Sequence, residues 1–204
     1  MKLIPTLELP PEAGDIDISM FKDAFGKIPA TVKLGTLLEA VASGRWRDQV
    51  QDLRNLLHSG NRETYDARKR LLPAVTLSGL FRDRTELVQH SGLLQGDFDK
   101  LQNPEEIRNA LGKDQYIIAS FLSPSTEGVK AVVWVPADPG RHIEIFKAAE
   151  RYFKECYGLE MDQSCKDTNR LCFVSLDPQI CSNSAATVQG RKNEITKLVV
   201  PARI

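Results

Sequence analysis

The 204 residues suffice for one well-buried core and suggest one domain or at most two small ones. Apolar residues make up 42% and charged residues 26%, which excludes a fully disordered, fibrous or collagen-like chain. Lys plus Arg and Asp plus Glu each total 27, so the formal net charge is zero, and any nucleic-acid binding must come from a local patch.

The longest apolar run, Ala131-Val-Val-Trp-Val-Pro-Ala137, is far short of the ~20 residues a membrane span needs. Met1-Lys2 leads through Leu-Ile-Pro to acidic residues and makes a poor signal peptide, so a cytoplasmic protein without a membrane partner is expected. Cysteines 156, 165, 172 and 181 form no C-x-x-C, and histidines 58, 90 and 142 are scattered. Reduced cysteines, some in the core, suit that spacing better than a structural zinc site.

In chain order, residues 1–19 read as an extended arm rich in proline, and 20–72 as a helical subdomain. Leu34, Leu37, Leu38 and Val41 share one helical face ending at Ser43-Gly44. Trp46, Val50, Leu53 and Leu57 repeat the spacing, and a third helix spans 61–72. Residues 44–70 carry seven basic and four acidic side chains. They make either a solvated helical face or a surface that tracks phosphates, with Arg45, Arg47, Arg68, Lys69 and Arg70 as candidates.

A sheet domain is expected over 73–178. Ala74–Phe81 alternates like a strand, and Gly92–Asp99 reads as a second. Asn103-Pro104-Glu105-Glu106 opens a helix to about Leu111. Strands 115–122 and 129–135 flank the loop Ser123-Pro-Ser-Thr-Glu-Gly128. A helix with Ile143, Phe146, Ala149 or Glu150, Phe153 and Tyr157 on one face then runs to Gly158, before a last strand over 171–175. Residues 179–204 read as a tail or linker. The order β–β–α–β–β–α–β implies an α+β fold, mostly antiparallel, with helices covering the sheet.

Three stretches carry candidate chemistry. In Gly96-Asp97-Phe98-Asp99 a strand period of two puts both carboxylates on one face, where a hard divalent cation stabilises their charge. Such pairs hold the metals of phosphoryl-transfer enzymes. The loop with Ser123, Ser125 and Gly128, followed by Lys130, offers backbone N–H groups and a cation to a triphosphate, or is an ordinary turn. Asp162 offers a third acid, with Asp167 as its competitor, and Arg170 either takes a phosphate or pins a loop through a salt bridge.

Leu72-Pro-Ala-Val-Thr-Leu-Ser-Gly79, His90-Ser-Gly92, Asp97-Phe-Asp99, Ser123-Pro-Ser125, and Asp162 through Arg170-Leu-Cys-Phe occur in an order that resembles the VirE N-terminal domain family of bacterial mobile-element proteins. More distantly, the chain is similar to primase-polymerases of the archaeo-eukaryotic primase superfamily. The resemblance implies an RRM-like sheet and a metal-dependent nucleotidyltransferase of a replication module. In it Asp97, Asp99 and Asp162 hold Mg2+ or Mn2+, and Ser123, Ser125, Lys130 and Arg170 contact the nucleotide. No histidine follows Ser125, where that superfamily has one. The implied partners are single-stranded or primed DNA, nucleoside triphosphates and a helicase or ATPase. The alternatives are an inactive nucleic-acid-binding or adaptor module and a nuclease.

Overall fold

In the computed structural model, which describes residues 6–188, Leu34, Leu37, Leu38 and Val41 lie on the buried face of α1 (Leu34–Ser43). Gly44 ends that helix at φ 80°, in the left-handed region that favours glycine. α2 (Arg47–His58) buries Val50 and Leu53, and α3 (Arg62–Lys69) starts at Asn61, whose side chain accepts from the Thr64 N–H. α4 (Pro104–Leu111) begins with proline and two glutamates, as its sequence requires. α5 (His142–Tyr157) ends at Gly158. Its buried stripe is His142, Ile145, Phe146, Ala149, Tyr152 and Phe153. Ile143, expected on that face, is exposed because His142 and Ile145 take the inward side of the first turn.

The strands are β1 (Asp17–Phe21), β2 (Ala30–Lys33), β3 (Ala74–Thr76), β4 (Gly79–Phe81), β5 (Leu87–His90), β6 (Leu93–Phe98), β7 (Ile117–Leu122), β8 (Val129–Trp134), β9 (Cys172–Phe173) and β10 (Cys181–Ser182). They form two four-stranded antiparallel sheets, ordered β2-β1-β3-β9 and β10-β7-β8-β6, and the hairpin β4-β5. The α+β class matches the expectation. β1 and β2 stand where an arm and the start of a helical region were expected. The run 74–81 is two strands, because Thr76 Oγ1 donates to the Gly79 carbonyl at 3.2 Å across a turn.

Alternation along β6 to β8 gives their sheet two apolar faces. Leu93, Ile118, Phe121 and Val132 join α1, α2 and the first sheet in one cluster, while Leu94, Phe98, Ile117 and Val133 meet α5 in the other. The first cluster runs from Ala13 to Ala186, so the expected border at 72/73 is no break in packing, and the start of the expected tail is docked. The Asn183 N–H donates to the Ile118 carbonyl at 3.0 Å, while residues 189–204 of that tail lie outside the described residues. A buried ion pair between Arg108 and Asp177 (3.0 Å) fastens the stretch just before that tail to α4. No helix among the described residues is long and apolar enough to cross a membrane.

Candidate functional site

Among the described residues β6 is the outer strand of its sheet, paired with β8 alone, and Asp97 stands opposite Lys130 in that pairing. Period-two alternation turns both side chains toward the space between the two sheets, where Lys130 Nζ donates to Asp97 Oδ2 at 2.7 Å. Each side chain is 5% exposed. Burial works against the Lys130 ammonium, but the Asp97 carboxylate outweighs it and holds the lysine above its ordinary range. Gln95 Nε2 adds a 3.2 Å bond to Asp97 Oδ2. Asp97 Oδ1 is buried with no hydrogen-bond partner among the described residues, a costly state for a charged oxygen.

The open edge of β6 receives the segment after α5. The Asp162 N–H donates to the Asp97 carbonyl at 2.9 Å, bringing together two acids far apart in sequence. Asp162 caps the short 3-10 turn Gln163–Lys166. Its Oδ1 accepts from the Ser164 N–H (2.9 Å), and its Oδ2 accepts from Ser164 Oγ (2.6 Å) and Arg170 Nη2 (2.7 Å). Partial burial pushes the Asp162 carboxyl up, but the Ser164 bonds and the charges of Arg170 and Lys130 leave it below the usual range.

Cys165, on that turn, completes a group with Asp97 and Asp162 whose possible ligand atoms all lie within 4.8 Å of one another. Burial pushes the Cys165 thiol up, and its Sγ stands beside two carboxylates as the third possible ligand atom. The two carboxylates, with the unpartnered Asp97 Oδ1, are the hard oxygen ligands that magnesium or manganese takes. Asp99, the other half of the expected acidic pair, lies outside this group and is exposed. Asp167 is exposed as well.

Lys69, at the end of α3, lies near Lys130, Asp97 and Asp99; burial and the neighbouring Lys130 lower its pKa against the pull of the acids. Asp97 and Asp162 are thus each paired with a cation, Lys130 and Arg170, with Lys69 close by.

Beside Asp162 opens a cleft of about 400 Å³ lined by Arg70, Arg84, Arg170, Asp167, Ser164 and Phe173, among others. Arg84 is fixed by its guanidinium, 4.8 Å from the centre of the buried Phe21 ring. Arg84 Nη1 and Arg170 Nε are buried N–H groups without a partner among the described residues. Burial also pulls the Arg84 pKa down. Arg84 gives no signal in the sequence, where Arg82-Asp83-Arg84-Thr85 reads as a solvated turn.

The remaining expected residues fall elsewhere. Ser123 is buried and bonded to Ser125 (3.0 Å) in a loop held by Arg54, which donates to the Pro124 carbonyl at 3.1 Å, and by the Arg62–Glu127 ion pair at 2.8 Å. Gly128 is there for close approach: a Cβ would lie 2.5 Å from the Phe98 carbonyl oxygen and 3.0 Å from Asp99 Oδ1. Lys130 is enclosed by its pairing with Asp97 and has no face to give a triphosphate. The basic stretch 44–70 is split. Lys69 joins the acids and Arg70 the cleft, while Arg68 lines a separate hollow and Arg45 another. Arg47 is exposed beside Gly44.

His90 and His142 form a second buried polar pair. The Gly92 N–H donates to His90 Nδ1 at 3.1 Å, so the His90 proton sits on Nε2 and is donated to His142 Nδ1 at 3.0 Å. Burial, with His90 alongside, lowers the His142 pKa to about 4.

No curated protein and no solved structure matches the chain. The resemblance to the VirE N-terminal domain family is corrected by the family model that matches, and nothing among the matches links the chain to primase-polymerases. The match covers residues 67–181, from the end of α3 through both acids and Arg170 to β10, which is more than half of the chain. The chain belongs to the BT4734-like, N-terminal domain family.

Proposed function

We propose that the protein is a divalent-cation-dependent nucleotidyltransferase. The observation that carries this reading is the meeting of Asp97 and Asp162, one with a buried unpartnered oxygen, behind Ser164 and Arg170, which bond Asp162 and line a cleft together with Arg70 and Arg84. Magnesium or manganese held there by Asp97 and Asp162 would neutralise charge at the reacting phosphate and activate the attacking hydroxyl.

The chain's own groups do the rest. Lys130 fixes the Asp97 carboxylate in place. Arg170 ties Asp162 to the cleft, where Arg84 and Arg70 supply further positive charge for phosphate oxygens. Asp97 and Asp162 are already matched by Lys130 and Arg170, so a dication is stabilised best when it arrives with a triphosphate. Arg70 and Arg84 then answer the anion's surplus charge.

A second reading is a binding module without catalysis. It is favoured by the pairing of both acids with cations, Asp97 with Lys130 and Asp162 with Arg170. Transfer of label from α-labelled nucleoside triphosphates, with magnesium or manganese and an oligonucleotide acceptor, separates the two. The proposal expects incorporation by the unaltered chain and a loss of at least about 100-fold in Asp162→Asn, in line with removing a group that acts electrostatically at the reacting centre. No incorporation with either metal would leave the binding module.

A further inference from the structure

We infer that the acceptor is a single nucleic-acid strand, held with one base stacked on Phe25 and its phosphates against Arg70, Arg84 and Arg170. Phe25 and Ile28 stand on the β1–β2 loop, 58% and 83% exposed. An aromatic ring so exposed carries a cost in water unless a partner covers it.

The loop is braced. Asp23 Oδ1 accepts from the N–H groups of Phe25 and Gly26 at 2.8 Å each, and the Ala24 N–H donates to the Arg70 carbonyl at 2.9 Å. Phe25 is therefore presented on a fixed turn, which lowers the ordering cost of binding. The Arg70 guanidinium lies 4.7 Å from the centre of the Phe25 ring, and Arg70 and Ala24 both line the arginine cleft. Ring and cleft are one continuous surface, bordered by the exposed Lys22 and Lys27.

An aromatic platform joined to a file of cations is what an unpaired strand needs: a π-face for the base and donors for the backbone. A duplex keeps its bases stacked on one another and offers the ring nothing. Arg70, Arg84 and Arg170 all line the cleft and set their charges where the phosphates would run.

This inference rests on the proposed function for the strand's direction, toward Asp162, but strand binding needs no divalent ion. It is tested by fluorescence anisotropy of a fluorescein-labelled 12-nucleotide oligothymidylate titrated with the full chain in EDTA, across a salt series. Phe25→Ala is expected to weaken binding roughly 5- to 100-fold, the usual range for one stacked base, and Phe25→Tyr to retain it. Arg84→Gln is expected to reduce the salt slope by about 0.7, whereas Arg68→Gln, outside the cleft, leaves it unchanged.

Equal affinity in Phe25→Ala and the unaltered chain would overturn the inference. So would tighter binding of a duplex of the same length, or full competition by a triphosphate that Phe25→Ala does not alter. Strand binding preserved in Asp97→Asn/Asp162→Asn would support the surface even if nucleotide transfer is never seen.

Discussion

Asp97→Asn isolates the buried pair on which the site is built. Both partners are 5% exposed, so solvent does little to screen the 2.7 Å contact. Removing the carboxylate leaves the Lys130 ammonium buried with its main partner gone, a loss of about 3–5 kcal/mol for pairs of this kind. For a chain of this size that lowers the melting temperature by roughly 10 °C. Lys130→Met alone should cost a similar amount, since the Asp97 charge then keeps only the Gln95 bond. The double change Asp97→Asn/Lys130→Met removes both charges and should recover most of the loss, a coupling of at least about 2 kcal/mol. Urea unfolding of the four proteins measures the cycle. Single changes below about 0.5 kcal/mol, or strictly additive losses, would refute the buried pair and the argument that Lys130 holds Asp97 in place.

The folded-state pKa of His142, about 4, lies below the unfolded value, so its contribution to stability is complete above pH ~6.5 and falls as the pH drops toward 4. That loss reaches about 3 kcal/mol, and urea midpoints at pH 7 and pH 4.5 should differ less in His142→Asn than in the unaltered chain; an equal difference contradicts the assignment. Gly128→Ala should destabilise by about 1–3 kcal/mol through its clash with the Phe98 carbonyl, read by thermal melting, whereas a neutral result would show that the loop can shift. Cys165 and Cys172 are buried, with burial pushing the Cys172 thiol up to about 11, so a thiol reagent at pH 8 should reach them only on unfolding. Fast labelling of either in the native protein would contradict their placement.

The helices were legible because each carries a local code. Gly44 and Gly158 close α1 and α5, Asn61 caps α3, and Pro104 opens α4. β1 and β2 were not, since β2 (Ala-Thr-Val-Lys) buries no residue and shows no alternation to read; it is a strand because β1 pairs with it. The period of two along Gly96–Asp99 correctly placed Asp97 at a strand end. It did not reveal that Asp97 turns inward to Lys130 while Asp99, beyond the end of β6, faces water. Cross-strand register decides that, and a sequence does not state it. Asp162 and Arg170 were singled out together and do meet, at 2.7 Å. Arg84 was invisible because its role depends on stacking against Phe21, which lies far from it along the chain.

The central claim is that Asp97 and Asp162 receive a divalent cation together with a triphosphate. The most direct test is manganese binding followed by electron paramagnetic resonance, with and without a non-hydrolysable nucleoside triphosphate. Nucleotide should tighten manganese binding at least about 10-fold beyond the affinity of the nucleotide itself for the ion, and Asp162→Asn should abolish that gain. Manganese affinity indifferent to nucleotide, or unchanged in Asp162→Asn, would contradict the account.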